Sequence, residues 1–252
     1  MTAEEELLYK RLTELAGKAE RGGYFTFSDF LGLGEQSVFN MAKSAIGRTS
    51  YTLFGGAEGC ERVMVRFGDE EELGYSEPFP IKIIKIRPKS PKYAEKLSHR
   101  DYLGSILSLG IERKHLGDIA IRDDCAYLFA SETVFEYIAS SLERIRHTDV
   151  TAEVAEELPD GELFRTERMR IQCSGERVDA LIAKVFKLSR EEAQRLFARR
   201  LVFISGRLTE STSAIPKPGE VVSVRGHGRF IYRGYESLSK KGKLNIDIDL
   251  YV

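Results

Sequence analysis

Four arginines crowd one short stretch of this chain, "FKLSREEAQRLFARRLVFISG" over residues 186–206: Arg190, Arg195, Arg199 and Arg200. Arginine's planar fork grips phosphate oxygens in pairs and stacks on unpaired bases, so this spacing can make a footprint for a nucleic acid. The competing reading is a solvated helix face, with Glu191 and Arg195 paired one turn apart. The following segments decide between them. Arg207, Arg225, Arg229 and Arg233 recur on strand-like stretches, and residues 190–233 hold nine Lys+Arg against four Asp+Glu.

Other groups that could do chemistry are weaker. His99, Arg100 and Asp101 copy the opening of a kinase catalytic loop, but Ile106 stands where the metal-binding Asn is required, and no DFG follows. Capping of a helix by Ser98 or Asp101 explains the triplet equally well. In "FGGAEG" the glycines suit a tight hairpin turn, and no Walker lysine accompanies them. Cys60, Cys125 and Cys173 are isolated, and the four histidines lack metal-binding spacing, so no metal or cofactor is expected.

The elements that must position these residues follow from periodicity. Leu7, Leu8, Leu12 and Leu15 predict one apolar face of a helix over 2–20, and a second helix runs to about residue 45. "TSYTLFGG" and "CERVMVRFG" alternate like two strands, with a boundary near 75. "FPIKIIKIRPK" is a strand, with Ile81, Ile83 and either Ile84 or Ile86 on its inner face. A helix carrying Tyr102, Leu103, Ile106, Leu107 and Leu109 follows. Two strands flank a turn at Asp123 and Asp124, then come a helix and a strand near "TDVTAEVA". Strand–helix–strand–strand–helix–strand is the order of a ferredoxin-like (RRM-like) α/β plait.

After the linker "EELPDGELFR", a strand leads into a helix with a buried stripe at Val178, Leu181, Ile182, Val185 and Phe186. The next helix opens on a Ser189–Glu192 capping box. Its apolar Ala193, Leu196 and Phe197 leave Arg190, Gln194, Arg195 and Arg199 pointing outward. Lysines 240, 241 and 243 either extend the basic surface or blunt an edge strand.

The net charge of −1 hides an asymmetry: residues 161–252 hold 18 Lys+Arg against 11 Asp+Glu, whereas residues 1–160 hold 20 against 28. A basic module on an acidic body is what a polyanion-binding protein shows. No apolar run suggests a membrane span, and the acidic start is unlike a targeting peptide, so a cytoplasmic location is expected.

The stretch "ERVDALIAKVFKLSREEAQRLFARRLVFISGRLTESTSAIPKPGEVVSVRG" resembles the RNA-binding domain named after small-subunit ribosomal protein S-four. The likeness rests on Arg177, Asp179, Ser189–Arg190, Ala193, Leu196, Gly206 and Pro218–Gly219–Glu220; the usual Asn-Gly of the turn is Ser205–Gly206. Together with "FGGAEGCERV", "HRDYLGSILSLGIERKHLGDI" and "VSVRGHGRF", the whole chain resembles the YlmH family. The implied class is α+β: an N-terminal α/β segment over 1–75, an RRM-like plait over 76–160, and an S-four-type module with further strands over 161–252. The resemblance implies a non-enzymatic protein that binds ribosomal RNA and tRNA on the large ribosomal subunit, in quality control of stalled nascent chains. Quality-control or cell-division proteins are further implied partners, and a cell-division adaptor is the alternative. The implied RNA contacts are Arg177, Lys184, Lys187, Ser189, Arg190, Gln194, Arg195, Arg199, Arg200, Ser205, Arg207, Arg225 and Arg229, on one exposed surface. His99, Arg100, Asp101, Arg113 and Lys114 form a second expected contact surface. Pseudouridine synthases and tyrosyl-tRNA synthetases share the S-four domain, but Asp101 and Asp179 lie outside the synthase context and the paired synthetase signatures are absent.

Overall fold

Thr2 and Glu5 cap each other across the first turn of a long helix: the Glu5 amide donates to Thr2 Oγ1 at 3.2 Å and the Thr2 amide to Glu5 Oε2 at 2.8 Å. This reciprocal box fixes where α1 (Ala3–Gly22) begins. The computed structural model describes every residue except Asp123, Asp160, Glu162, Lys240, Lys241 and Val252. The turn aspartate at 123 and the lysines at 240 and 241 therefore lie outside the described residues. Helices and antiparallel sheets make an α+β chain that divides into two units, Met1–Phe164 and Arg165–Val252.

In the first unit, α1 packs on α2 (Leu33–Ile46) and on a small sheet of β1 (Thr26–Phe27), β2 (Tyr51–Phe54) and β3 (Met64–Phe67), in order β1-β3-β2. Leu12, Leu15, Ala16 and Ala19 meet Phe39, Ala42, Val65 and Phe67 there, with Leu8 at the margin. Leu7 is a correction, because it is 71% exposed. The stripe runs 8, 12, 15, 19, and a side chain one residue off it turns about 100° away. A single turn, α3 (Glu70–Leu73), follows β3.

Five strands come next: β4 (Ile81–Pro88), β5 (Leu116–Arg122), β6 (Cys125–Ser131), β7 (Arg144–Ile145) and β8 (Thr148–Val154). They form an antiparallel sheet in the order β5-β6-β4-β8-β7, with α4 (His99–Leu107) and α5 (Phe135–Ser141) as its crossovers. Ile84, Ile86 and Leu128 face these helices and enclose Tyr102, Ile106 and Ile138. Each such apolar side chain withdrawn from water contributes roughly 2 kcal/mol. The sheet's other face is covered too: Tyr127 and Phe129, with Ile81 and Ile83, pack against Phe30, Met64 and Leu163. Hence β4 is apolar on both sides, which is why its inner face could not be settled from alternation.

A buried polar clamp reinforces that second layer. Arg62 donates from Nε to Leu116 O at 2.8 Å and from Nη2 to Phe30 O at 3.1 Å, and Asp118 Oδ2 accepts the amides of Glu61 and Arg62 at 2.6 and 2.9 Å. Gly56, with φ +105°, lets the hairpin loop lie against Phe129, where a Cβ would stand 2.3 Å from a ring carbon. The glycine loop is therefore packed structure.

The second unit is a six-stranded antiparallel sheet of β9 (Thr166–Cys173), β10 (Val202–Ile204), β11 (Arg207–Leu208), β12 (Val221–Val224), β13 (Gly228–Leu238) and β14 (Leu244–Tyr251). Its order is β11-β10-β12-β13-β14-β9. The helices α6 (Val178–Val185) and α7 (Arg190–Ala198) cover one face. Leu181, Ile182, Leu196 and Phe197 meet Val222, Phe230, Tyr232 and Ile248 in its core.

Candidate nucleic-acid interface

The outward side of α7 is set by its capping box. Ser189 receives the Glu192 amide at 3.2 Å and donates its own to Glu192 Oε2 at 2.7 Å, which starts the helix at Arg190. With Ala193, Leu196 and Phe197 buried, Arg190, Gln194, Arg195 and Arg199 are all exposed. Both helices end on cations in the left-handed region: Lys187 at φ +54° after α6 and Arg200 at φ +57° after α7. The Leu188 amide reaches Ala183 O at 2.9 Å and the Leu201 amide reaches Leu196 O at 3.0 Å, the bond that closes a Schellman turn.

Three expected contacts converge on a cleft of about 250 Å³ along α6 and the start of α7, lined by Arg177, Lys184 and Arg190 with Ser174 and Gly175. Arg177 is held there by a fork onto Asp179, at 3.1 Å from Nε and 2.9 Å from Nη2. Asp179 is buried, and one of its oxygens also takes the Ala180 amide at 2.9 Å. Arg195 is engaged by Glu191, and Arg200 by Glu210 at 3.5 Å. Lys184, Lys187, Arg190 and Arg199 are exposed and make no ion pair among the described residues. Ser205 and Gly206, at φ +48° and +76°, form the two-residue turn joining β10 to β11, and the exposed Arg207 follows it as the first residue of β11.

Arg225 and Arg229 do not join that surface. On β13, Phe230 and Tyr232 point to the helices, so Arg229 points to the opposite face of the sheet, where its guanidinium lies 4.2 Å from the Tyr251 ring centroid. Arg225 lies 4.6 Å over Phe203 on the same outer face. Arg233 is bound there to Asp249 at 2.6 Å, and Asp247 joins Arg168 and Arg170 at 2.9 and 2.7 Å. Hydrogen bonds from Arg170 and Arg168 hold the Asp247 carboxyl down at about 2. The expected single surface is thus two faces of one sheet, a distinction that linear charge counts do not carry.

The expected second surface also divides. His99 and Arg100 are exposed at the start of α4, where Asp101 accepts the Ser98 amide at 2.8 Å and its hydroxyl at 2.6 Å. Lys114 pairs with Glu112 at 2.9 Å, beyond the far end of α4. Arg113 is a correction: its guanidinium is spent on the carbonyls of Leu116 and Gly117, at 2.8 and 3.0 Å. Burial, with Arg62 beside it, pulls that group down to about 10. Burial likewise pushes the Cys60 thiol up to about 12, which leaves it protonated and unreactive at neutral pH.

Residues 75–157 match the model of a family described as "Putative RNA-binding domain in YlmH". A curated relative, "Ribosome-associated protein quality control protein P2" of Bacillus subtilis (strain 168), is 26% identical over 227 residues, spanning 88% of this chain and 86% of its own. Over residues 75–157 the chain is similar to YlmH. A solved structure titled "Cell division protein ylmH from Streptococcus pneumoniae" overlays with a TM-score of 0.48 at 21% identity, covering 62% of this chain and 93% of that one.

The segment matched by the YlmH model contains cations that the sequence reading passed over. Lys89, Lys92 and Lys96 are exposed in the connection from β4 to α4, and Tyr93 among them is 81% exposed. The signal was present as lysines interleaved with an aromatic in "RPKSPKYAEKL", but it was absorbed into the end of a strand.

Proposed function

We propose that this protein is a non-enzymatic, cytoplasmic RNA-binding protein that associates with the large ribosomal subunit and contacts ribosomal RNA and tRNA in quality control of stalled nascent chains. The observation that carries the reading is the set Lys184, Lys187, Arg190 and Arg199, exposed on the α6–α7 side and free of internal carboxylates among the described residues. Unpaired guanidinium and ammonium groups held on rigid helices are what phosphate recognition requires. The name of the Bacillus subtilis relative supports the ribosomal setting. We read residues 161–252 as an S-four-type module and 76–160 as a ferredoxin-like plait. The sheet order β5-β6-β4-β8 around two crossover helices supports the plait.

The structure refines which arginines to test. Arg195 already serves Glu191, so the informative pair is Arg190→Glu with Arg199→Glu. Both side chains are exposed, so the variant is expected to fold as wild type and to lose co-sedimentation with large ribosomal subunits. Four phosphates neutralised on this face contribute about −3 to the log–log salt slope. Unchanged co-sedimentation by the double variant would refute the assignment of the α6–α7 face.

A further inference from the structure

A four-stranded plait sheet commonly binds single-stranded RNA by stacking bases on aromatics of its open face. That route is closed here. Tyr127 and Phe129 occupy the corresponding face of the sheet but are 6% and 0% exposed beneath Phe30, Met64 and Leu163. An RNA contact made by residues 75–157 must therefore come from another surface of the same segment.

One end of the plait has the required chemistry. Ile86 pairs with Ala126 and Pro88 with Val150, so the β4–α4 connection, the β5–β6 turn and the β7–β8 turn share that end. Exposed there are Lys89, Lys92, Lys96, Arg100 and His147. Their neighbours Arg144 and Arg146 are paired, with Asp149 at 3.3 Å and with Glu95 at 3.6 Å. Those two ion pairs use up nearby carboxylates and Arg100 sits beside Asp101, while Lys89, Lys92 and Lys96 make no ion pair among the described residues. The Tyr93 ring stands out from this surface with Lys92 Nζ 5.6 Å from its centroid. The segment is braced, since the Lys89 amide reaches Asp149 O at 2.9 Å and the Glu95 amide reaches Thr148 Oγ1 at 3.2 Å. A cleft of about 360 Å³ opens beside it, bounded by Lys96, Tyr102 and Asp124.

We infer that this end of the plait is a second nucleic-acid contact, in which Tyr93 stacks on an unpaired base and Lys89, Lys92 and Lys96 hold the flanking phosphates. A lone exposed tyrosine carries no such meaning. An exposed flat ring with one ammonium group beside it, and two more lysines on the same braced loop without ion pairs among the described residues, is the pairing that single-stranded RNA uses and that an acidic peptide does not need. The inference rests on the RNA-binding reading above and adds a site to it.

The test uses the full chain and a fluorescently labelled RNA stem–loop with a single-stranded tail, titrated at several salt concentrations. Tyr93→Ala is expected to weaken binding by about tenfold, with Tyr93→Phe close to wild type, because stacking needs the ring and not the hydroxyl. Lys89→Gln, Lys92→Gln and Lys96→Gln together are expected to reduce the salt slope by about 2. Removing the tail should abolish the Tyr93→Ala effect. Wild-type affinity and slope in these variants, with binding still lost in Arg190→Glu/Arg199→Glu, would overturn the second contact alone and leave the patch to an acidic protein surface. No binding of the stem–loop by the wild-type chain would overturn the RNA-binding reading as well.

Discussion

Asp247 shows how much an arginine's count can differ from its availability. It is 3% exposed and accepts from Arg168 and from both Nε and Nη2 of Arg170, so two cations of the basic module are satisfied within the sheet. Those hydrogen bonds favour the charged carboxylate and hold its pKa at about 2, below the ordinary value of 3.8. The folded-state value lies under the unfolded one. The stabilisation is therefore complete above the unfolded pKa and is lost as pH falls towards 2. Asp247→Asn should lower the melting temperature of the second unit by roughly 5 °C at neutral pH and should flatten its acid dependence between pH 4 and 2. Thermal melts across that range check it: a variant that retains the wild-type acid sensitivity would place the titration elsewhere.

At the level of elements, the two helix ends of the α6–α7 pair sacrifice stability for charge. A Schellman turn favours glycine at its left-handed position, since a Cβ there costs about 1 kcal/mol. Here Lys187 and Arg200 occupy those positions at φ +54° and +57°. The helix dipole offsets part of the cost by attracting a cation to a C-terminus. Lys187→Gly and Arg200→Gly are expected to leave stability unchanged or to raise it by up to about 1 kcal/mol, while weakening RNA binding. Urea titrations read the first effect and stem–loop titrations the second. Destabilisation with unaltered affinity would make these residues purely structural. The helices themselves were legible in sequence, because capping boxes and the stripe from Val178 to Phe186 are local. Their ends and the partition of arginines were not. Arg225 and Arg229 look equivalent to Arg199 along the chain, and only strand register sends them to the other face of the sheet. The two-residue strands β1 and β7 have no period to read. Arg62 was invisible for a different reason: its neighbour Glu61 meets Asp118 across 57 residues.

Across the whole molecule, every core cluster of the described residues stays inside one unit. The cluster around Leu181 and Phe230 belongs to Arg165–Val252, and the clusters around Phe39, Ile106 and Phe129 belong to Met1–Phe164. Within the first unit the cores are not independent, because Arg62 and Asp118 join the helical segment to the plait through four part-buried hydrogen bonds. Removing Arg62 takes that donor from the Phe30 carbonyl and leaves Leu116 O to Arg113 alone, at a cost of about 2 kcal/mol. Arg62→Ala should therefore lower one calorimetric transition, that of the first unit, as a single step including the N-terminal helices. Asp247→Asn should lower only the other, because cores that share no side chains unfold as separate cooperative units. If both substitutions shift one common transition, the two units are thermodynamically a single body. If Arg62→Ala splits the first transition in two, the clamp is what makes residues 1–164 cooperative.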